Sequence, residues 1–126
     1  MMDKHEVNVC RTFQLTQEDI DDIVCTALEG GINYWCRKAE VVDDDYYGEY
    51  ASEQVSRGGS LRLYDREEKK TYILTLEKLL NGIKLYLEDY YDSYCIVDGK
   101  IETSMVDAPA SDCMVQYAVF GELVYG

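Results

Sequence analysis

The sequence predicts an α+β fold, a mostly antiparallel sheet with about three helices packed on one face, and three observations carry that reading. Apolar residues recur at helical spacing in three separate stretches, beginning at Ile20, Leu76 and Val115. Short alternating runs bounded by turn residues lie between them, as half-buried strands require. The 126 residues contain no repeat, linker or low-complexity tract, so 1–126 reads as a single domain with residues 1–6 loose.

Taken in order, Val7 to Leu15 alternates (Val7, Val9, Phe13, Leu15) and reads as a first strand. Thr16 follows as a helix N-cap, with Asp19 completing the spacing of a capping box. Ile20, Ile23, Val24, Ala27 and Leu28 form the apolar stripe, and Gly30-Gly31 supplies the stop. Ile32 to Val42 reads as a second strand ended by Asp43-Asp44-Asp45, while Tyr46 to Arg57 fits either a helical turn or an ordered loop. Leu61 and Leu63, then Tyr72 to Leu74, flank the charged turn 65–70 as an antiparallel hairpin. Thr75 caps a second helix to about Tyr90, with Gly82 as its one weak position. A small hairpin turns at Asp98-Gly99. Asp107 and Pro109 open a third helix that Gly121 ends, and Glu122 to Tyr125 reads as a terminal strand.

Charge narrows the function classes. Twelve basic and 25 acidic residues give a net charge of −13, which repels nucleic acid and anionic membranes at long range. Direct nucleic-acid binding and membrane association are therefore disfavoured, and basic protein surfaces become the natural partners. Five cysteines, widely spaced and without a Cys-x-x-Cys pair, fit small core residues in a reducing compartment. With no leader-like or membrane-spanning run, the expected location is the cytoplasm. Tyrosine is over-represented, at 12 residues, and its apolar body with a polar tip serves both cores and interfaces.

Motifs for catalysis are missing. A lone His5 and scattered cysteines make no metal site, no Gly-x-Ser-x-Gly elbow occurs, and carboxylates are too many for any pair to stand out. The chain reads as a non-enzyme without a cofactor. Arg57 with Gly58-Gly59, between Ser56 and Ser60, has the ingredients of an anion nest, although a turn into a strand whose arginine pairs with an acid is the plainer reading. Asn33, Tyr34 and Trp35 could supply a stacking ring and an edge contact for a base, or a helix end leading into a core strand. Strand alternation would put Asn33 and Trp35 on one face and Tyr34 on the other. Asp112 and Gln116, four apart on the third helix, read as its wet side.

The runs Ala27 to Cys36, Gly48 to Gln54 and Ser56 to Gly59, with Leu74 to Lys78 and Gln116 to Gly121, resemble small acidic proteins of phages, plasmids and other mobile elements of gut-type bacteria. The resemblance carries no assigned activity, but it implies a role against host defence. Two readings follow. In the first, the protein sequesters a nucleotide-derived signalling molecule through Asn33, Tyr34, Trp35, Arg57, Gly58 and Gly59, in a closed pocket and as a homo-oligomer. In the second, it is a nucleic-acid mimic whose Asp43, Asp44, Asp45, Tyr46 and Tyr47 cover a basic face of a defence protein. A housekeeping role in the mobile element is the third.

Overall fold

A computed structural model describes residues 4–126, so the first three positions of the segment expected to be loose lie outside the described residues. The fold is α+β. It contains helices α1 (Gln17–Thr26), α2 (Leu76–Asp89) and α3 (Ala108–Phe120). A three-stranded antiparallel sheet runs in the order β1 (Cys36–Val41), β2 (Leu61–Asp65), β3 (Thr71–Leu74). A two-stranded hairpin, β4 (Ile96–Val97) and β5 (Lys100–Ile101), connects α2 to α3.

The helix ends follow from local chemistry. Thr16 Oγ1 accepts from the Asp19 amide at 3.0 Å while Asp19 Oδ2 accepts from the Thr16 amide at 2.9 Å, a closed capping box. Asp107 caps α3 through the Ala110 amide at 3.0 Å, and Gly121 ends it with a left-handed φ of 76°. α1 widens at its end into a π turn over Ala27–Gly31. There Gly31 is needed for closeness rather than for its dihedral freedom: a Cβ would lie 2.4 Å from Ser111 Oγ, on the first turns of α3.

In the sheet, Leu61 and Leu63 of β2 point inward and are wholly buried, with Arg62 and Tyr64 half-buried on the other face. The pairing of β1 with β2 slips between Cys36 and Lys38, so that Arg37 is an unpaired bulge residue. Side chains of all three helices and of the sheet join one apolar core, with Ile23 and Val24 from α1, Leu79 and Ile83 from α2, and Met114 and Val115 from α3. α2 and α3 meet at Gly82, where a Cβ would stand 2.4 Å from the Met114 carbonyl oxygen and 2.6 Å from the Ala118 nitrogen. The position that weakens α2 as a helix is the one that lets α3 approach.

Two expected strands do not form. Val7 to Leu15 is extended chain paired with no strand; Val7 and Val9 are exposed, and only Phe13 and Leu15 pack against the core. Alternation supplied an apolar face there, but no sheet edge receives it. Glu122 to Tyr125 is likewise irregular, because side chains rather than a strand take up its amides.

Asp65 closes the β2–β3 turn. Its buried carboxylate accepts from the Glu67 and Glu68 amides at 2.8 and 3.1 Å and from the Tyr125 hydroxyl at 2.6 Å. Burial opposes ionisation, yet the Tyr125 hydroxyl and the two amides together hold the carboxyl below its ordinary range. A depressed carboxyl stabilises the fold fully above its unfolded value, near pH 4, and loses that contribution as acid titrates the folded group. Asp65→Asn should therefore cost about 2 kcal/mol at neutral pH, and the gap to the parent should narrow as pH falls below about 4, read as urea midpoints. Gly82→Ala, which would favour an isolated helix by about 1 kcal/mol, should instead destabilise this protein by roughly 2 kcal/mol in the same assay.

Candidate functional site

Residues 32–35 form a turn, not a strand. The Ile32 carbonyl accepts from the amides of Trp35 and Cys36, at 3.1 and 2.8 Å, and β1 begins only at Cys36. The turn sends Tyr34 and Trp35 to the same acceptor instead of to opposite faces. Trp35 Nε1 donates to Asp112 Oδ1 at 2.7 Å, and the Tyr34 hydroxyl donates to Asp112 Oδ2 at 2.5 Å. Gln116 lies one turn further along α3. Its Nε2 donates to Asp112 Oδ1 at 2.9 Å and to the Tyr125 carbonyl at 3.0 Å, and its Oε1 accepts from the amides of Val124 and Tyr125 at 2.8 Å each.

This arrangement corrects two expectations. Asp112 and Gln116 are not the wet side of α3: Gln116 is 0% exposed and Asp112 is buried, because α3 is covered on that side by the 32–35 turn and the chain end. Trp35 is no ligand platform either. Its ring is 1% exposed, stacks on Tyr125 at 5.7 Å and 9°, and meets Phe120 at 5.2 Å. Tyr34 keeps an exposed edge, but its hydroxyl is committed; burial and the Asp112 bond push its phenol up to about 12. Asn33 is exposed, its Nδ2 on the Glu29 carbonyl at 3.3 Å.

Arg57, Gly58 and Gly59 form the turn rather than a nest. Arg57 Nη1 lies 3.3 Å from Asp21 Oδ2 and donates to the Glu53 carbonyl at 3.0 Å, and Ser56 Oγ donates to Asp21 Oδ1 at 2.5 Å. The Gly58 amide bonds the Val55 carbonyl at 3.1 Å and the Gly59 amide the Gln54 carbonyl at 3.0 Å, so neither is free for an anion. Gly58 takes a left-handed φ of 90°, while a Cβ on Gly59 would run into the Gln54 side chain. Nor do the two glycine phrases converge. Arg57 docks on Asp21 in the first half of α1, and Gly30 is nine residues further along, roughly 13 Å of helix.

The acidic loop is organised differently. Asp43 and Asp44 both adopt left-handed dihedrals, φ 58° and 53°, which aspartate tolerates better than most residues. Behind the loop, buried Gln54 donates from Nε2 to the Asp45 carbonyl and accepts from the Tyr47 amide, both at 2.9 Å. Glu53 Oε1 accepts from the amides of Glu49 and Tyr50 at 2.8 and 3.0 Å. With its backbone clamped from inside, the loop turns its side chains out: Asp43, Asp44 and Asp45 are exposed, and Tyr46, Tyr47 and Tyr50 are each more than half exposed. Among the described residues no cation pairs with the three aspartates.

Two concave features lie elsewhere on the described surface. A groove of about 690 Å³ lies between the extended segment before α1 and α2, walled by apolar side chains such as Phe13, Leu15, Ile83 and Leu87. A smaller cavity of about 340 Å³ sits where the turn closing α1 meets β1, lined by Leu28, Ile32, Asn33, Arg37, Lys38 and Arg66 among others. The sequence reading placed Asn33 in a pocket but missed the three cations, whose only signal was their scarcity in so acidic a chain. Among the described residues no three His, Cys, Asp or Glu side chains group to hold a metal ion. Burial pushes the thiols of Cys25, Cys36 and Cys113 up, away from the nucleophilic thiolate.

No protein-family model, no curated protein and no solved structure matches the chain.

Gln116→Leu keeps the volume of the hub but removes the acceptor of the Val124 and Tyr125 amides. Hydrogen exchange at those two amides should accelerate by at least about tenfold, and the fluorescence of Trp35 should shift to longer wavelength as Tyr125 leaves its ring.

Proposed function

We propose that this protein is a non-enzymatic binder that occludes a basic surface on a partner protein with the loop Asp43–Tyr50. The observation that carries the reading is the outward display of three unpaired aspartates and three tyrosines from a loop fixed by Gln54 and Glu53. Tyrosine supplies large contact area at low cost in side-chain entropy, and interfaces favour it. A loop already held in shape loses little further freedom on binding. Uncompensated carboxylates steer a cationic partner inward and select against an anionic one. Joined to the resemblance to proteins of mobile elements, these features point to a host defence protein whose nucleic-acid-binding face is the target.

The nucleotide-sequestering alternative, in the form built on Trp35 and Arg57, has less support, because both side chains spend their polar groups inside the protein.

The test is association with a panel of basic nucleic-acid-binding domains. Binding should weaken as salt rises from about 50 to 300 mM and should compete with duplex DNA. The triple variant Asp43→Asn, Asp44→Asn, Asp45→Asn preserves the left-handed turn and should lower affinity at least about tenfold. Binding that is indifferent to the triple variant, or absent across the panel, would overturn the assignment.

A further inference from the structure

We infer that the cavity between the end of α1 and β1 is a binding site for a small organic phosphate, with Arg37 and Arg66 holding the phosphoryl group. The site is separate from the acidic loop and does not rest on the function proposed for it. Its first support is electrostatic accounting. The chain has about two acids for each base, and Arg57 and Arg62 both sit on carboxylates. Arg37 and Arg66, which face this one cavity, have no carboxylate partner among the described residues. Arg11 also lacks a carboxylate partner among the described residues, so what marks this hollow is that two such guanidiniums share it.

The second support is how the cations are held. The bulge at Arg37 takes it out of the β1–β2 pairing, and bulges re-aim side chains in this way. Its guanidinium lies over the Tyr64 ring, 4.9 Å from the centroid. Arg66 is anchored at both ends: its amide donates to the Trp35 carbonyl at 2.7 Å, and Nη2 to the Asn33 carbonyl at 3.0 Å. That leaves the rest of the guanidinium fork for a ligand. Lys38 is held by Glu40 at 3.0 Å. The nearby acids are occupied, since Glu40 also takes the Tyr64 hydroxyl and Arg62, and Asp65 faces Tyr125 and its own turn.

The ligand class follows from shape and charge. Two guanidinium forks suit a dianionic phosphate better than a single carboxylate. Leu28, Ile32 and Ala39 give the hollow an apolar floor, and 340 Å³ is near the small end of ligand sites, room for a phosphate and about one ring. The raised thiol of Cys36 in the same wall argues for binding without covalent chemistry. Repulsion from the net negative charge is screened beyond about 8 Å at physiological salt, so capture is local.

Phenyl phosphate, inorganic phosphate and benzoate are suitable probes, titrated into the ¹⁵N-labelled full chain and followed by NMR. Phenyl phosphate should give saturable shifts confined to residues 33–38 and 66, with inorganic phosphate and benzoate each several-fold weaker. Arg37→Gln should weaken phenyl phosphate about tenfold, whereas Arg11→Gln, the same loss of charge elsewhere, should leave it unchanged. Arg37 makes no carboxylate pair, so this variant tests the site even if Arg66→Gln perturbs the turn at Asn33. Absence of saturation by about 20 mM, equal response to all three probes, or equal loss in both variants would overturn the proposal.

Discussion

The carboxylate of Asp112 is the point on which this structure turns. A buried charge is costly unless its oxygens are satisfied, and here three donors from two regions of the chain supply that satisfaction: Trp35, Tyr34 and Gln116. Their convergence fixes the turn before β1 against α3. Gln116 then extends the network to the chain end, drawing Tyr125 over the indole. Because the turn at 32–35 also positions Asn33 and the start of β1, the cationic cavity inherits its shape from the same interaction.

A wider pattern surrounds that centre. Cations are too few to serve 25 acids, and tyrosine hydroxyls take over part of the work. Tyr34 bonds Asp112, Tyr64 bonds Glu40, Tyr94 bonds Asp107, Tyr117 bonds Asp89 and Tyr125 bonds Asp65. A phenol can donate to a carboxylate without bringing in a second charge that must itself be desolvated. Eight of the twelve tyrosines thus serve two uses, five in these bonds and three as outward rings of the 43–50 loop.

Much of the helical architecture was legible because it depends on neighbours in sequence. Thr16 with Asp19, Asp107 with Pro109, and Gly121 declare helix ends through bonds that close within a few residues. What was not legible depends on contacts between distant segments. The alternation at Val7 to Leu15 contains no information on whether a strand edge is available to it. Asp112 and Gln116 look solvent-facing by residue type, and only the turn and chain end that cover them, from 77 positions upstream and eight or nine downstream, bury them. In the two glycine pairs, Gly31 and Gly59 serve close packing on Ser111 and Gln54 rather than a ligand, contacts that the sequence does not display. The acidic loop was readable as exposed charge; the clamp behind it was not, since nothing about Gln54 in isolation marks it as buried.

Pairing carboxylates with phenols sets an upper limit on the conditions the fold can endure. The bond to Asp89 and burial push Tyr117 up to about 12, and Tyr34 reaches a similar value. A proton held more tightly in the folded chain favours folding at all pH values below the unfolded phenol, near 10, and that advantage disappears as alkali strips the folded hydroxyl. Each phenolate so formed would face an anion across a hydrogen-bond distance with nothing left to share. Where many proteins come apart in base by discharging their lysines, this one should do so by acquiring further negative charge at the joints that hold it closed.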